Sequence, residues 1–201
     1  MSTEDPLKSL NRAQFIMGAP THRTLVADEG AEIAFAGRSN AGKSSALNAL
    51  TGNHSLARVS KTPGSTQHLV VFEIAPGRRL IDLPGYGYAK VPPALRATWG
   101  EAMRDYFAER QSLRGVVICM DVRHPLTEFD TMMLDLCDDR SLDCHILLTK
   151  SDKLSRGAAG NTLQAVRKVL REAGMGASVQ VFSAQNGDGV AETRAWVMAR
   201  L

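Results

Sequence analysis

The sequence is poor in the features that mark secreted, membrane and metal-binding proteins. It has 3 cysteines among 201 residues, an odd number at unpatterned spacing, which argues against a disulfide framework. Its longest apolar runs, such as residues 115–120, fall far short of the ~20 residues that span a bilayer. The first ~25 residues lack the apolar stretch of a signal peptide. The 5 histidines show no metal-ligand spacing. These absences predict a cytoplasmic protein without a membrane partner.

Length and composition predict one domain. At 201 residues and 44% hydrophobic content the chain can bury one good core, and no repeat or low-complexity tract divides it. We expect residues 1–25 to form a partly ordered N-terminal arm and residues 26–201 to form the domain. The formal net charge of +3 is too small to indicate nucleic acid by itself.

Strand-like and helix-like segments alternate along the chain. Six strands are predicted, at residues 32–36, 69–74, 79–81, 115–120, 144–148 and 178–182. Helices between most of them indicate an α/β fold with a doubly wound, mostly parallel sheet. Residues 75–78 are too short for a crossover, so the strands they join should be antiparallel. One helix face is predicted to pack in the core through Leu163, Val166, Val169 and Leu170.

The clearest motif is a phosphate-binding loop of the form G-x-x-x-x-G-K-[ST] between a predicted strand and a predicted helix. It comprises Gly37, Arg38, Ser39, Asn40, Ala41, Gly42, Lys43 and Ser44, followed by Ser45. The glycines let successive amide groups converge on one phosphate, and the helix N-terminus adds partial positive charge. Lys43 would reach the β- and γ-phosphates, and the Ser44 hydroxyl would ligate Mg²⁺. The motif predicts a nucleotide site.

A second motif supplies the other half of the phosphate site. Asp82, Leu83, Pro84 and Gly85 form D-x-x-G directly after a short apolar strand. Doubly wound sheets bind their ligands at the carboxyl ends of strands. Asp82 would therefore hold Mg²⁺ through water, and the Gly85 amide could approach the γ-phosphate because glycine has no side chain.

The base is indicated by two later segments, each following a predicted strand. They consist of Thr149, Lys150, Ser151 and Asp152, and of Phe182, Ser183 and Ala184. The Asp152 carboxylate can accept two hydrogen bonds from the ring N–H and exocyclic amine of guanine, whereas adenine offers no such donor pair. Lys150 would lie along the base, and a backbone amide of Ser183 or Ala184 would meet the guanine carbonyl. The motifs favour GTP over ATP.

The segment between the first two motifs has no clear periodicity and is predicted to be a loop. Its candidate nucleotide-contacting residues are Gly64, Ser65, Thr66, Gln67 and His68. Thr66 is the expected third Mg²⁺ ligand, recruited when a γ-phosphate is present and released afterwards. Thr62 competes for that role, and both threonines could instead serve the turn around Pro63.

Three strings together resemble the EngB (YihA/YsxC) family, in the TrmE-Era-EngA-EngB-septin-like class of P-loop GTPases. They are GRSNAGKSS at residues 37–45, KTPGSTQ at 61–67 and DLPGYGYA at 82–89. The similarity extends to DVRHPL at 121–126 and LTKSDKL at 148–154. The resemblance implies a monomeric Mg²⁺-dependent GTPase that assists late assembly of the large ribosomal subunit and its rRNA. Members of this family are also associated with cell division and septation.

Catalysis would rest on Lys43, Thr66, Gly85 and Asn40. In signalling GTPases a glutamine after D-x-x-G orients the attacking water, but this sequence has Tyr86 there, which predicts slow unassisted hydrolysis. Asn40 resembles the asparagine that coordinates K⁺ in potassium-activated relatives, so K⁺ is a candidate second cofactor. The alternative for Asn40 is a simple turn residue.

The charge of residues 53–104 bears on the choice among three functions. This segment contains seven basic and three acidic residues, an excess of +4. Its basic side chains could bind rRNA phosphates, or they could form an ordinary solvated surface. A GTP-hydrolysing switch on a ribosomal precursor fits this charge and the resemblance. A GTP-gated binding module for cell-division proteins is the alternative, and an ATP-dependent kinase shares only the phosphate-binding loop. The roles of Tyr86 and Tyr88 are not predicted.

Overall fold

The computed structural model describes residues 9–57, 68–85 and 93–201. Within these ranges the chain forms seven strands and five α-helices. The strands are Gln14–Ala19 (β1), Ala31–Gly37 (β2), Leu69–Ala75 (β3), Arg78–Asp82 (β4), Leu113–Asp121 (β5), Asp143–Thr149 (β6) and Ser178–Val181 (β7). The helices are Lys43–Thr51 (α1), Pro93–Glu109 (α2), Glu128–Asp139 (α3), Arg156–Glu172 (α4) and Val190–Met198 (α5). Short 3-10 turns lie at His22–Thr24 and Ser151–Lys153.

All seven strands belong to one sheet in the order β1-β3-β4-β2-β5-β6-β7. Strands β4, β2, β5, β6 and β7 run parallel to one another, and β3 is antiparallel to β1 and to β4. This confirms the predicted doubly wound, mostly parallel α/β fold. The predicted strand number was wrong, because six strands were expected and seven are present. The additional strand, β1, lies within the segment predicted as an N-terminal arm.

Strand β1 was missed because it is an edge strand. It pairs only with β3 among the described strands, and most of its residues are exposed. A strand that does not bury one whole face lacks the regular apolar and polar alternation on which strand prediction relies.

The turn between β3 and β4 follows from two residues. Pro76 restricts its own φ, and Gly77 adopts a φ of +73°, a left-handed conformation that favours glycine. The two strands pair antiparallel on either side of this turn, with Ala75 opposite Arg78. The predicted antiparallel pair is therefore confirmed.

The sheet separates two apolar layers, and β2 contributes alternate residues to each. Phe35 is fully buried with Leu47 of α1 on one face, and Ala34 is fully buried with Phe107 of α2 on the other. Because successive side chains of a strand point to opposite faces, both layers contact β2, which leads into the phosphate-binding loop. The loop is thereby held between two cores.

The predicted core face of α4 was partly wrong. Val166 and Leu170 are buried and Leu163 is half-buried, but Val169 is 47% exposed. At about 100° per residue, Val169 lies ~100° or more around the helix from Leu163 and Leu170, outside the stripe that they form with Val166.

The cysteines and the helices of the described residues can each be characterised. The three cysteines, Cys119, Cys137 and Cys144, are free and buried. In the described part of the chain, no helix has both the length and the apolar character to cross a bilayer.

Candidate functional site

Five strand ends meet at one edge of the sheet. Strand β2 ends at Gly37, β4 at Asp82, β5 at Asp121, β6 at Thr149 and β7 at Val181. Because these strands are parallel, their carboxyl ends lie on the same side, where doubly wound sheets hold ligands. The phosphate-binding loop, D-x-x-G and T-K-x-D therefore converge, although more than 100 residues separate the first from the last.

The phosphate-binding loop adopts a tight turn that depends on glycine at two points. A Cβ at Gly37 would lie 2.9 Å from the Cys119 carbonyl oxygen on the neighbouring strand, closer than real contacts allow. Gly42 has a φ of +91° and caps the start of α1. Asn40 also has a positive φ, +64°, which suits its interpretation as a turn residue, while its potassium role stays a prediction.

Lys43 and Asp82 form a buried ion pair between α1 and β4. Nζ of Lys43 donates a hydrogen bond to Oδ1 of Asp82, and both side chains are less than a tenth exposed. Two predicted phosphate-site residues are thus brought into direct contact. Ser44 and Ser45 are half-buried in the first turn of α1, next to Lys43.

The D-x-x-G segment packs directly against the phosphate-binding loop. Leu83 is fully buried, and its N–H donates to the Phe35 carbonyl at 3.0 Å, which continues the pairing of β4 with β2. A Cβ at Gly85 would lie 3.3 Å from Oγ of Ser39, so a larger residue at this position would crowd the phosphate-binding loop. Pro84 is buried between these two contacts.

The T-K-x-D segment is fastened to the same loop. The Thr149 hydroxyl donates to the carbonyls of Ala41 and Met120. Lys150 has a φ of +59°, and its Nζ donates to the Asn40 carbonyl while it pairs with Asp121 at 3.0 Å. The base-side segment and the phosphate-side loop are therefore one connected structure.

The Asp152 carboxylate is fixed by two partners. Nζ of Lys153 lies 2.8 Å from Oδ2, and the Ser183 hydroxyl donates to Oδ1 at 2.7 Å. The hydrogen bond from Lys153, followed by that from Ser183, lowers the pKa of Asp152 below its usual value. The group is therefore ionised at neutral pH and keeps acceptor capacity for further donors.

The segment after β7 distinguishes the two backbone amides, of Ser183 and Ala184, that were candidates to contact the guanine carbonyl. Phe182 is buried next to the end of β6. Its N–H donates to the Leu148 carbonyl, and its carbonyl accepts a hydrogen bond from the Ser151 N–H. The Ser183 N–H donates to the Asp188 carbonyl at 2.9 Å. Within the described residues the Ala184 N–H makes no hydrogen bond, so of the two candidate amides it is the one available to a ligand.

The candidate nucleotide-contacting residues Gly64, Ser65, Thr66 and Gln67, and the competing Thr62, lie outside the described ranges, so their roles stay predictions. Tyr86, on whose position the expectation of slow hydrolysis rests, and Tyr88 also lie outside these ranges. His68 is described, is exposed, and lies near β1, 3.8 Å from where a Cβ of Gly18 would be. Arg38 is half-buried in the phosphate-binding loop.

One residue that contacts the site, Asp121, and one that supports the chain after α1, Asn48, were missed from the sequence. Asp121 ends β5 and contacts Lys150, and an acidic residue after an apolar strand, the signal that identified Asp82, was present there too. Asn48 of α1 bonds the carbonyls of His54 and Ala57 at 2.9 and 3.0 Å and accepts from the Ala57 N–H at 2.8 Å. No sequence signal distinguishes Asn48 from an ordinary helical residue.

Among residues 9–57, 68–85 and 93–201, no group of three or more histidine, cysteine, aspartate or glutamate residues is arranged to hold a metal ion.

Comparison with known proteins identifies the family. A family model described as 50S ribosome-binding GTPase matches residues 32–150. A probable GTP-binding protein EngB from Stenotrophomonas maltophilia (strain K279a) is 55% identical over 186 residues, covering 92% of this chain and 93% of that protein. The corresponding protein of Xanthomonas euvesicatoria pv. vesicatoria (strain 85-10) is 53% identical over 193 residues, covering 96% and 93%.

Solved structures agree at the level of the fold. The crystal structure of a probable GTP-binding protein engB aligns with a TM-score of 0.68 at 20% identity, over 85% of this chain and 100% of that one. Era in complex with MgGDPNP and nucleotides 1506–1542 of 16S ribosomal RNA aligns with a TM-score of 0.65 at 20% identity, over 86% and 57%. Since the family model spans more than half of the chain and close relatives span over nine tenths of it, the chain belongs to the EngB family of GTP-binding proteins and is a P-loop GTPase.

Proposed function

We propose that this chain is a monomeric cytoplasmic switch that binds GTP and Mg²⁺ at the carboxyl edge of its sheet and acts in late assembly of the large ribosomal subunit. The nucleotide part rests on one observation above all, the pair of contacts that join T-K-x-D to the phosphate-binding loop. Lys150 donates to Asn40 O and Thr149 donates to Ala41 O. These contacts support a site in which base and phosphates are bound by adjoining segments.

Guanine specificity would come from Asp152. Its ionised carboxylate can accept from both the ring N–H and the exocyclic amine of guanine, and Ser183 and Lys153 hold it in one orientation. The Ala184 amide would meet the guanine carbonyl. Adenine presents no such pair of donors on that edge, so an ATP-dependent kinase is disfavoured.

The residues fit Mg²⁺ by their donor chemistry. Ser44 offers a hydroxyl at the first turn of α1, and Asp82 offers a buried carboxylate that Lys43 already contacts. Mg²⁺ prefers oxygen ligands and is commonly bound through one or two carboxylates together with substrate phosphates and water. We expect Ser44, Asp82 through a water molecule, and Thr66 to hold the ion, which when bound would neutralise charge on the β- and γ-phosphates.

Hydrolysis would depend on charge stabilisation more than on a side-chain base. The Lys43 ammonium would shift from Asp82 to the β- and γ-phosphate oxygens, and the start of α1 would add its partial positive charge. Tyr86 stands where a water-orienting glutamine would be, so intrinsic turnover should be slow. The missing stabilisation would come from K⁺ held with Asn40 or from a group of the docked partner.

A nucleotide-competition assay tests the first half of the proposal. Unlabelled GTP and GDP should displace a fluorescent guanine nucleotide from the protein, and ATP at the same concentrations should leave it bound. Displacement by ATP as effective as by GTP would show that Asp152 does not select the base.

The ribosomal half is supported by the family model, whose description is 50S ribosome-binding GTPase, and by the basic excess between residues 53 and 104. Co-sedimentation with purified ribosomal particles, with a GTP analogue and with GDP, tests it. We expect the protein to sediment with large-subunit precursors in the presence of the analogue and to remain in the supernatant with GDP. Retention on cell-division proteins with no ribosomal binding in either state would favour the alternative switch.

A further inference from the structure

Asp121 contacts the base-side segment from the end of β5, outside the phosphate-binding loop, D-x-x-G and T-K-x-D motifs. It is the last residue of β5, and its side chain is 6% exposed. Oδ1 accepts from Arg123 Nε at 2.9 Å and from the Arg123 backbone N–H at 3.0 Å. Oδ2 accepts from Arg123 Nη2 at 2.7 Å and lies 3.0 Å from Lys150 Nζ. Two cations therefore share one carboxylate.

This carboxylate is ionised at neutral pH. Burial by itself raises the pKa of Asp121, but the hydrogen bonds from Arg123 and Lys150 outweigh that effect and hold the pKa well below its usual value. The Lys150 ammonium thus has a fixed negative charge on one side and the Asn40 carbonyl of the phosphate-binding loop on the other.

Arg123 alone satisfies the carboxylate. Its guanidinium occupies both oxygens in a two-point geometry, which is the strong arrangement for arginine and a carboxylate. The contact with Lys150 is therefore not needed to keep Asp121 paired. The contact instead restricts the long, flexible side chain of Lys150 before a ligand binds. Binding then costs less conformational entropy, because those rotamers are already lost.

We propose that Asp121 is a positioning residue for the nucleotide site, which holds the Lys150 ammonium against the Asn40 carbonyl and so keeps the base-side segment and the phosphate-binding loop in one arrangement. This inference rests on the proposed nucleotide site. Asp121 acts through Lys150 and needs no contact with the nucleotide itself.

The substitution Asp121→Asn tests this assignment. It removes the anion, keeps the shape, and leaves the Arg123 and Lys150 cations facing each other. We expect the Kd values of GDP and GTP to rise together by about 10- to 100-fold, the range for loss of one hydrogen bond between charged groups. The KM for GTP should rise by a similar factor while kcat at saturation changes by less than about threefold, because ordering Lys150 affects binding on the base side.

A matched control is available at the opposite end of the sheet. Asp143 begins β6 and pairs with Nε of Arg200 at 2.8 Å, so Asp143→Asn makes the same chemical change in another aspartate–arginine pair. We expect its Kd values to stay within about twofold of the wild type. Equal loss of nucleotide binding in both variants would attribute the effect to stability and overturn the inference.

A double-mutant cycle separates positioning from folding. Lys150→Met should weaken nucleotide binding, and adding Asp121→Asn to it should weaken binding by less than about twofold more, because Asp121 acts through Lys150. Full additivity would overturn the inference.

A variant that keeps the charge gives a second test. Asp121→Glu should bind nucleotide more tightly than Asp121→Asn, and thermal unfolding checks that each variant folds. If Lys150→Met leaves binding unchanged, the proposed site itself fails. If it weakens binding and Asp121→Asn does not, only the inference fails.

Discussion

The buried carboxylate of Glu32 allows a direct test of what stabilises this fold. Glu32 lies near the amino end of β2, at the end of the strands opposite the candidate site, and its side chain is fully buried. It accepts hydrogen bonds from Arg110 Nε at 3.0 Å, Arg110 Nη2 at 2.6 Å and Arg79 Nη1 at 3.3 Å. The guanidinium groups of Arg79 in β4 and of Arg110, just after α2, therefore converge on one buried carboxylate.

Glu32→Gln keeps the shape of the side chain and removes that charge. Breaking a buried ion pair from one side destabilises a protein by about 3–5 kcal/mol, because the remaining charge is left uncompensated. The lower end applies here, because both arginines keep other partners. Arg110 Nε also lies 3.5 Å from Asp28 Oδ1, and Arg79 Nη1 also donates to the carbonyls of Ala27 and Glu29 at 3.2 and 3.0 Å. We expect a loss of about 3 kcal/mol in the free energy of unfolding, which for this chain length lowers Tm by about 6–12 °C.

Thermal and urea unfolding of the nucleotide-free protein measure this effect. Glu73→Gln is the matched control, because Glu73 is a third exposed and lies 3.6 Å from Nε of the same Arg79. It should destabilise by less than about 1 kcal/mol, as partly exposed ion pairs do. If Glu32→Gln unfolded within about 2 °C of the wild type, the buried charge would contribute little and the reasoning would be refuted.

Four further outcomes are expected. Asp152→Asn should weaken GTP and GDP binding by about 10²- to 10⁴-fold, for two hydrogen bonds to a charged acceptor, with partial rescue by xanthine nucleotides in a competition assay. Ser44→Ala should weaken Mg²⁺-dependent binding of both GDP and GTP, whereas Thr66→Ala should spare GDP; equal losses in a titration would remove Thr66 from its role. GTP turnover should increase when K⁺ replaces Na⁺, and the Asn40→Ala variant should not show that increase. A phosphate-release assay without any ion dependence would exclude a role for K⁺. Burial lowers the pKa of His145 to about 4 in the folded chain, below its unfolded value, so the unfolded state binds more protons between about pH 4 and 6.5. The free energy of unfolding should therefore decrease by up to about 3 kcal/mol as the pH falls through that window, and His145→Gln should flatten this decrease in unfolding curves.

The motifs could be found from sequence because each is contiguous and its chemistry is local. A glycine pair followed by a lysine and a serine specifies a loop that turns tightly before a helix, and the structure has Gly42 in a left-handed conformation there. Predicting that the motifs meet required one general rule, that the carboxyl ends of parallel strands share an edge. The fold class and the GTPase family follow from these features and are confirmed.

Edge and surface positions were less predictable. Strand β1 is stabilised by pairing with β3, while its exposed Phe15 and Ile16 give the sequence no strand pattern. Val169 is apolar and near the helical spacing of its neighbours, yet in the described part of the chain its side chain is 47% exposed. In both cases burial was decided by which elements lie nearby, and sequence spacing carries no information about that.

By itself, the sequence predicted six of the seven strands in their order, the α/β fold class and the phosphate-binding loop, and it nominated Asp152 as the residue that recognises the base. The tertiary structure alone decided which charges became partners. Asp121 meets Lys150 from 29 residues away, and Glu32 meets Arg110 from 78 residues away. A buried charge is stable only beside an opposite charge or enough hydrogen-bond donors, and residues distant in sequence become neighbours only when the sheet has formed. For that reason the sequence marks Asp121 and Glu32 as acidic residues at the ends of a strand but does not show which cations they meet, and only the folded chain gives each its partners.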